Sequence, residues 1–77
     1  MKHFLDFVVR SLVDNPDDVL ITEVPGASET VYRISVHSAD IGLVIGKGGR
    51  TISAIRSLIN AVNKTSGHLA VEVIENT

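Results

Sequence analysis

The sequence predicts an α+β fold, in which helices pack on one face of a β-sheet. The first observation is that apolar residues recur every three to four positions in some segments, as in amphipathic helices, and at alternate positions in others, as in strands. The second is that Pro, Gly and Ser residues separate these segments. The predicted order is α-β-β-α-α-β, within a single domain that spans residues 1–77. Since only three residues are aromatic, we expect an aliphatic core.

The first segment of the chain reads as an amphipathic helix. Its apolar residues are spaced by three and four: Phe4, Leu5, Val8, Val9 and Leu12. The pair Asn15–Pro16 is expected to end this helix, because the residue before a proline is disfavoured in the helical conformation.

Two strands are predicted next, joined as an antiparallel hairpin. Residues 18–24 are rich in β-branched and aliphatic side chains, which favour strands. Residues 25–28 read Pro-Gly-Ala-Ser, a turn. Residues 29–37 alternate, with Tyr32, Ile34 and Val36 on one side and Val31 and Arg33 on the other. Two strands around a short turn indicate a hairpin.

Two helices and a last strand complete the prediction. Ser38 is expected to cap a short helix over residues 39–45, with Asp40 favouring its dipole. A second helix begins near Gly49 or Arg50, contains Lys64 in its last turns and ends at Ser66–Gly67. Its apolar face is expected to be core: Ile52, Ile55, Leu58, Ile59 and Val62. Residues 68–74 alternate and read as the third strand.

The charges are distributed unevenly along the chain. The net charge is −2, yet residues 1–40 hold three basic and seven acidic residues, whereas residues 41–77 hold four basic and two acidic ones. No acidic residue lies between Ile41 and Val71. The second half therefore offers a local positive surface that suits an anion, while the total charge mainly governs solubility.

Several classes of function are excluded or disfavoured by composition. There is no cysteine, so disulfides, thiolate metal sites and cysteine nucleophiles are excluded. The three histidines fall in different elements, so we expect no metal site and no cofactor. No nucleophile motif or general base accompanies a pocket, and an enzyme is not expected. No signal peptide or membrane span is visible, which predicts a soluble, cytoplasmic protein.

Residues 41–52, IGLVIGKGGRTI, interrupt an apolar run with a glycine-rich loop. A helix N-terminus presents free N–H groups that suit phosphate, and glycines let a phosphate backbone approach closely. Lys47 and Arg50 add positive charge at that point, and Arg56 could extend it. A nucleotide P-loop and a dinucleotide fingerprint both fail, because the spacing of the glycines around Gly46 fits neither. A plain turn between two helices is the alternative.

The stretch from Gly42 to Ile55 resembles the signature of KH domains. It has an apolar pair, the Gly-x-x-Gly loop at Gly46–Gly49, and Ile52 three residues after the second glycine. The helix and strand before this core match the type II topology, with a three-stranded mixed sheet and three helices on one face. Over essentially the whole chain, the sequence is similar to the small bacterial KhpA-like RNA-binding proteins.

The resemblance implies a non-catalytic protein that clamps the backbone of single-stranded RNA, about four nucleotides long, with the glycine loop. Bases would lie in a groove between the two core helices and an edge strand. The implied RNA-binding residues are Gly42, Val44, Ile45, Gly46, Lys47, Gly48, Gly49, Arg50, Ile52 and Arg56. Of Val44 and Ile45, we expect one to support the core and the other to line the floor of the groove, and the sequence leaves open which is which.

The resemblance also implies pairing and a cellular role. It implies a homodimer, or a heterodimer with a larger protein carrying KH and R3H domains (the Jag/KhpB type), and action in post-transcriptional regulation or as an RNA chaperone. Two alternatives stay open. Single-stranded DNA could replace RNA, and the chain could be chiefly a protein-interaction subunit, as the acidic first half favours.

Overall fold

The computed structural model describes residues 1–63 and 67–76 and confirms the α+β fold. The elements follow the predicted order: α1 (Lys2–Leu12), β1 (Leu20–Pro25), β2 (Glu29–Val36), α2 (Ile41–Ile45), α3 (Arg50–Val62) and β3 (His68–Glu75). Short 3₁₀ turns at residues 16–18, 38–40 and 47–49 lie between them.

The three strands form one mixed sheet in the order β1-β2-β3. β1 and β2 are antiparallel and pair as the predicted hairpin, with Val24 opposite Val31. β2 and β3 are parallel, with Ile34 opposite Val73. A parallel pair needs a long crossover connection, and α2 and α3 provide it. Both β1 and β3 are therefore edge strands.

The core lies between the sheet and the helices. It is aliphatic apart from one tyrosine and consists of Leu5, Val9, Val19, Ile21, Tyr32, Ile34, Val36, Val44, Ile55, Ile59 and Leu69. The central strand β2 contributes Tyr32, Ile34 and Val36 at alternate positions, as its sequence pattern predicts. All three helices thus cover the same face of the sheet.

The helices bury narrower stripes than their sequences predict. In α1, Leu5 and Val9 are buried, but Phe4 and Leu12 are exposed. A helix that contacts a sheet on one side covers only the residues nearest the contact, so the margins of a wide apolar stripe stay in solvent.

The expectation that the whole apolar face of α3 is core is wrong for two residues. Ile55 and Ile59 are buried and Ile52 is half-buried, but Leu58 and Val62 are 44% and 43% exposed. These two side chains lie at the margin of the face, where neither the sheet nor another described helix covers them.

The helix ends differ from the predicted ones in detail. α1 ends at Leu12, where Val13 is already extended, before the Asn15–Pro16 pair. The predicted cap at Ser38 is wrong. The cap is His37, whose Nδ1 accepts a hydrogen bond from the backbone N–H of Ala39 at 3.0 Å. α3 ends at Val62, and the predicted positions of Lys64 and Ser66 lie outside the described residues.

Asp40 is buried at the N-cap position of α2, and its side chain makes no capping hydrogen bond to that helix. Its Oδ2 accepts hydrogen bonds from the backbone N–H of Asn15 at 2.9 Å and from Asn15 Nδ2 at 3.1 Å. Burial by itself would raise the pKa of this carboxyl. The hydrogen bonds from the Asn15 side chain and backbone and from the Asp14 backbone, with the charge of His37, lower the pKa below its ordinary value. This carboxylate ties the start of α2 to the segment after α1.

Among residues 1–63 and 67–76, none of the helices is long and apolar enough to cross a bilayer.

Candidate nucleic-acid interface

A four-residue loop, Gly46–Gly49, joins α2 to α3. α2 stops at Gly46, whose N–H donates to the Gly42 carbonyl at 2.9 Å. The Gly49 N–H then donates to the Gly46 carbonyl at 3.0 Å. Together with a hydrogen bond from the Arg50 N–H to the Lys47 carbonyl, these main-chain bonds hold a tight turn between the helices, and the turn does not depend on the Lys47 side chain.

Gly46 is required by the fold itself. Its backbone, at φ 77° and ψ 167°, lies in a region that is essentially restricted to glycine. A Cβ at this position would also collide with Oγ1 of Thr51 and lie 2.8 Å from the Thr51 backbone nitrogen. Gly46 and Thr51 are therefore packed directly against each other.

Gly48 and Gly49 are glycines for a different reason. Both have positive φ, 66° and 79°, but a Cβ at either position would meet no atom within 4 Å. The main chain is therefore bare toward solvent, and a large partner can approach it closely. Helix α3 starts at Arg50 without a side-chain cap, and the Arg50 N–H donates to the Lys47 carbonyl. The positive end of the helix dipole at this N-terminus favours an anion.

The basic side chains beside this loop form no ion pair with any acidic residue in the described part of the chain. Lys47, Arg50 and Arg56 are all exposed. The two ion pairs found among residues 1–63 and 67–76, Arg10–Asp6 and Arg33–Glu72, involve none of them. The loop and the first two turns of α3 thus present the positive surface that the charge distribution predicts.

The structure separates the two apolar residues before the loop. Val44 is fully buried, whereas Ile45 is half-buried, as is Ile52 on the other side of the loop. Val44 therefore belongs to the core, and of the two residues that the sequence left undivided only Ile45 keeps exposed surface. Ile45 and Ile52 keep part of their apolar surface next to the loop, and the exposed Gly42 lies on α2 before it.

The edge strand β3 faces the same region. α2 and α3 both contact β3. Val71 and Val73 of this strand are partly buried against the core, together with Ile41 and Ile52. All four side chains keep part of their apolar surface exposed, and we refer to them together as the apolar floor.

Asn60, which the sequence analysis did not single out, connects α3 to β3. Its Nδ2 donates to the Leu69 carbonyl at 2.9 Å, and its Oδ1 accepts from the Leu69 N–H at 3.0 Å. Nδ2 also donates to the Arg56 carbonyl at 2.9 Å. The sequence does contain an indication of this contact, namely an asparagine within an apolar helical segment. Asparagine is unfavourable inside helices unless its side chain makes hydrogen bonds.

Metal chemistry has no candidate centre in the described ranges. No group of three or more His, Asp or Glu residues there is arranged to hold an ion.

The topology and the glycine loop define a KH domain of type II, a class that binds single-stranded nucleic acid. A family model described as "KhpA/KhpB, KH domain" matches residues 2–74, and the chain belongs to this family of non-enzymatic RNA-binding domains.

Curated bacterial relatives agree with the family model. A protein of Chlamydia pneumoniae named "RNA-binding protein KhpA" is 43% identical over 76 residues, 97% of each chain. Proteins of the same name in Clostridium acetobutylicum and Thermotoga maritima are 41% and 35% identical, over 96% of this chain and 100% and 99% of their own. No solved structure matches the chain significantly.

Proposed function

We propose that residues 1–77 act as a single KH domain that clamps the sugar–phosphate backbone of single-stranded RNA with Gly46–Gly49. The observation that carries this function is the pairing of bare main chain at Gly48 and Gly49 with an uncapped helix N-terminus immediately after it. The unpaired charges of Lys47 and Arg50 attract phosphate to the same point.

The bases then lie over the apolar floor beside the loop. In this arrangement Ile45, Ile52 and the exposed Gly42 contact RNA, and Arg56 extends the positive surface along α3. We expect this groove to hold about four nucleotides, the usual length for this class. Single-stranded DNA would meet the same contacts, because none of them depends on a 2′-hydroxyl.

We further propose that the chain pairs with a second copy, or with a larger KH/R3H protein, through α3. The outward face of this helix carries Ala54, Leu58, Ala61 and Val62, all exposed. These positions follow the helical repeat, and their small alanines allow a second helix to approach. Two chains related by a two-fold axis would bury each Leu58 against the partner's helix.

Pairing would place two clamps on one particle. Two weak grooves joined in this way gain avidity through effective concentration. Such a bivalent particle, acting in the cytoplasm, fits a role in post-transcriptional regulation or as an RNA chaperone.

The clamp is tested by reversing the charge of the loop while keeping its backbone. The double variant Lys47→Asp/Gly48→Asp is expected to bind labelled single-stranded RNA at least about tenfold more weakly, because three units of charge change beside the phosphates. Fluorescence anisotropy measures the dissociation constant. Position 48 tolerates the change, since Asp and Asn accept positive φ and a Cβ has open space there.

The matched control is Lys47→Asn/Gly48→Asn, which has nearly the same shape without the negative charges. It should lose only the contribution of Lys47. Circular dichroism checks that both variants fold. For the wild type, two or three phosphate contacts predict that log K falls with log salt at a slope of about −1.4 to −2.1. Equal binding by the wild type and the charge-reversed variant would contradict the clamp.

The pairing surface is tested separately, by Leu58→Glu. Because a glutamate would be buried between the two helices, the variant is expected to be monomeric where the wild type is dimeric. Sedimentation velocity over a concentration series measures this. Leu20→Glu is the control, since Leu20 is 57% exposed on the sheet, away from α3. A dimer that persists in Leu58→Glu but not in Leu20→Glu would move the interface to the sheet.

A further inference from the structure

The outer edge of β3 is occupied at one position by a side chain of the protein itself. Among the described strands, β2 is the only neighbour of β3 in the sheet. Within a strand, the N–H and C=O groups of alternate residues point to opposite edges. The Leu69 N–H and C=O bond to Asn60, so they point away from β2, and those of Val71 and Val73 point the same way.

The Asn60 amide is held firmly in this position. Its Oδ1 and Nδ2 bond to the two main-chain groups of Leu69, and Nδ2 also bonds to the Arg56 carbonyl one turn back in α3. Three hydrogen bonds use most of the capacity of an amide and fix its orientation. The side chain therefore takes the place that a neighbouring strand or a base edge would otherwise occupy at Leu69.

Within the described ranges, the next outward positions of β3 have no hydrogen-bond partner. Among the described residues, no side chain bonds to the outward main-chain groups of Val71 or Val73. Outward positions recur about every 6.6 Å along a strand. Glu75, the last residue of β3, brings an acidic side chain that disfavours a phosphate backbone nearby.

We propose that Asn60 sets the register in which RNA bases are read. By closing the edge of β3 at Leu69, it leaves the main chain of Val71 and Val73 as two places for hydrogen bonds to the edges of unpaired bases. Asn60 acts as a positioning residue, because it also fixes the start of β3 relative to α3. This inference rests on the proposed function, since it assumes RNA in the groove between α2 and β3.

The first experiment records the amide NMR spectrum of the isotope-labelled wild-type protein. Single-stranded RNA oligonucleotides of increasing length are the probes. The amides of Val71 and Val73 are expected to shift and to exchange more slowly with bound RNA, while the Leu69 amide stays protected in both states. An RNA-induced change at Leu69 as large as those at Val71 and Val73 would overturn the proposal.

The second experiment opens the edge with Asn60→Ala. Without the Asn60 amide, the main chain of Leu69 becomes a third position at which a base can bond. As the RNA is lengthened, affinity should therefore keep rising for one nucleotide more than in the wild type, and this extra nucleotide should add about twofold to tenfold. Asn63→Ala is the control, since Asn63 lies one turn on from Asn60 and its Nδ2 bonds to the Gly67 carbonyl. It should keep the wild-type length dependence.

The outcomes separate the two proposals. If Asn60→Ala exposes the Leu69 amide to exchange but keeps the wild-type length dependence, Asn60 has only a structural role. If this variant does not fold, the wild-type amide measurement decides alone. If the wild type binds no RNA, or if charge reversal in the loop leaves RNA binding unchanged, the proposed function itself fails. If RNA binds through the loop but the amides of Leu69, Val71 and Val73 change equally, only the proposed role of Asn60 fails.

Discussion

Replacing Gly46 by alanine is expected to abolish RNA binding and to destabilise the fold by about 3 kcal/mol or more. A non-glycine residue at this φ and ψ costs about 1–3 kcal/mol. The collision of the new Cβ with Thr51 adds to that cost, because the backbone nitrogen of Thr51 cannot move without shifting the start of α3. Urea denaturation measures the free energy of unfolding, and anisotropy measures RNA binding of the folded fraction.

Two companion variants separate strain from collision. Gly48→Ala is expected to cost only about 1–2 kcal/mol, since position 48 has positive φ but open space around it. Combining Gly46→Ala with Thr51→Ala should recover part of the stability, because the contact with the Thr51 Oγ1 is removed, while the contacts with the Thr51 Cβ and backbone nitrogen and the backbone strain remain. Equal costs for Gly46→Ala and Gly48→Ala would show that the contact with Thr51 is unimportant.

Replacing Ile34 by alanine is expected to cost about 2–5 kcal/mol. Ile34 is fully buried at the centre of the middle strand, paired with Ile21 on one side and Val73 on the other. A chain of this length has a total stability of about 4–11 kcal/mol, so the loss brings a large unfolded fraction. Thermal and urea unfolding followed by circular dichroism measure it.

The control for Ile34→Ala is Leu20→Ala in the neighbouring strand. Leu20 is 57% exposed, and its truncation should change stability by less than about 1 kcal/mol. A small effect at Ile34 would mean that the core closes around the cavity, which we do not expect for a central strand held from both sides.

The order and type of the elements were predictable because each carries a strong local signal. Tyr32, Ile34 and Val36 alternate as strand residues do, and the structure buries all three. The glycine loop was also visible in the sequence, since closely spaced glycines between two apolar helical segments predict a tight connection with exposed main chain. Such signals depend on neighbouring residues alone, and these are available in a sequence.

What the sequence could not supply was how far each helix is covered. Periodicity identifies the apolar face that contains Ile55, Ile59, Leu58 and Val62, but the width of the contact depends on how the helix lies on the sheet. Leu58 and Val62 were therefore assigned wrongly. For the same reason the sequence could not divide Val44 from Ile45, which differ in burial although they are adjacent.

Contacts between distant polar groups were equally hidden. Asp40 looked like a helix-terminal acid, but its partner is Asn15, on a different segment. His37 took the capping role assigned to Ser38 because its Nδ1 reaches the Ala39 N–H. Asn60 binds Leu69 across the turn to the last strand. Each of these bonds requires the tertiary fold, and local propensity does not report it.

The parallel pairing of β2 and β3 bears on how the domain folds. The hairpin of β1 and β2 closes over a few residues, whereas paired residues of β2 and β3 are about forty positions apart in the chain. Contacts between distant residues carry a larger loop-closure entropy and slow folding. The hairpin can thus form early, while β3 and the groove beside it form late. A partly folded chain could therefore form the glycine loop, which is closed by local hydrogen bonds, before it forms the groove in which RNA would bind.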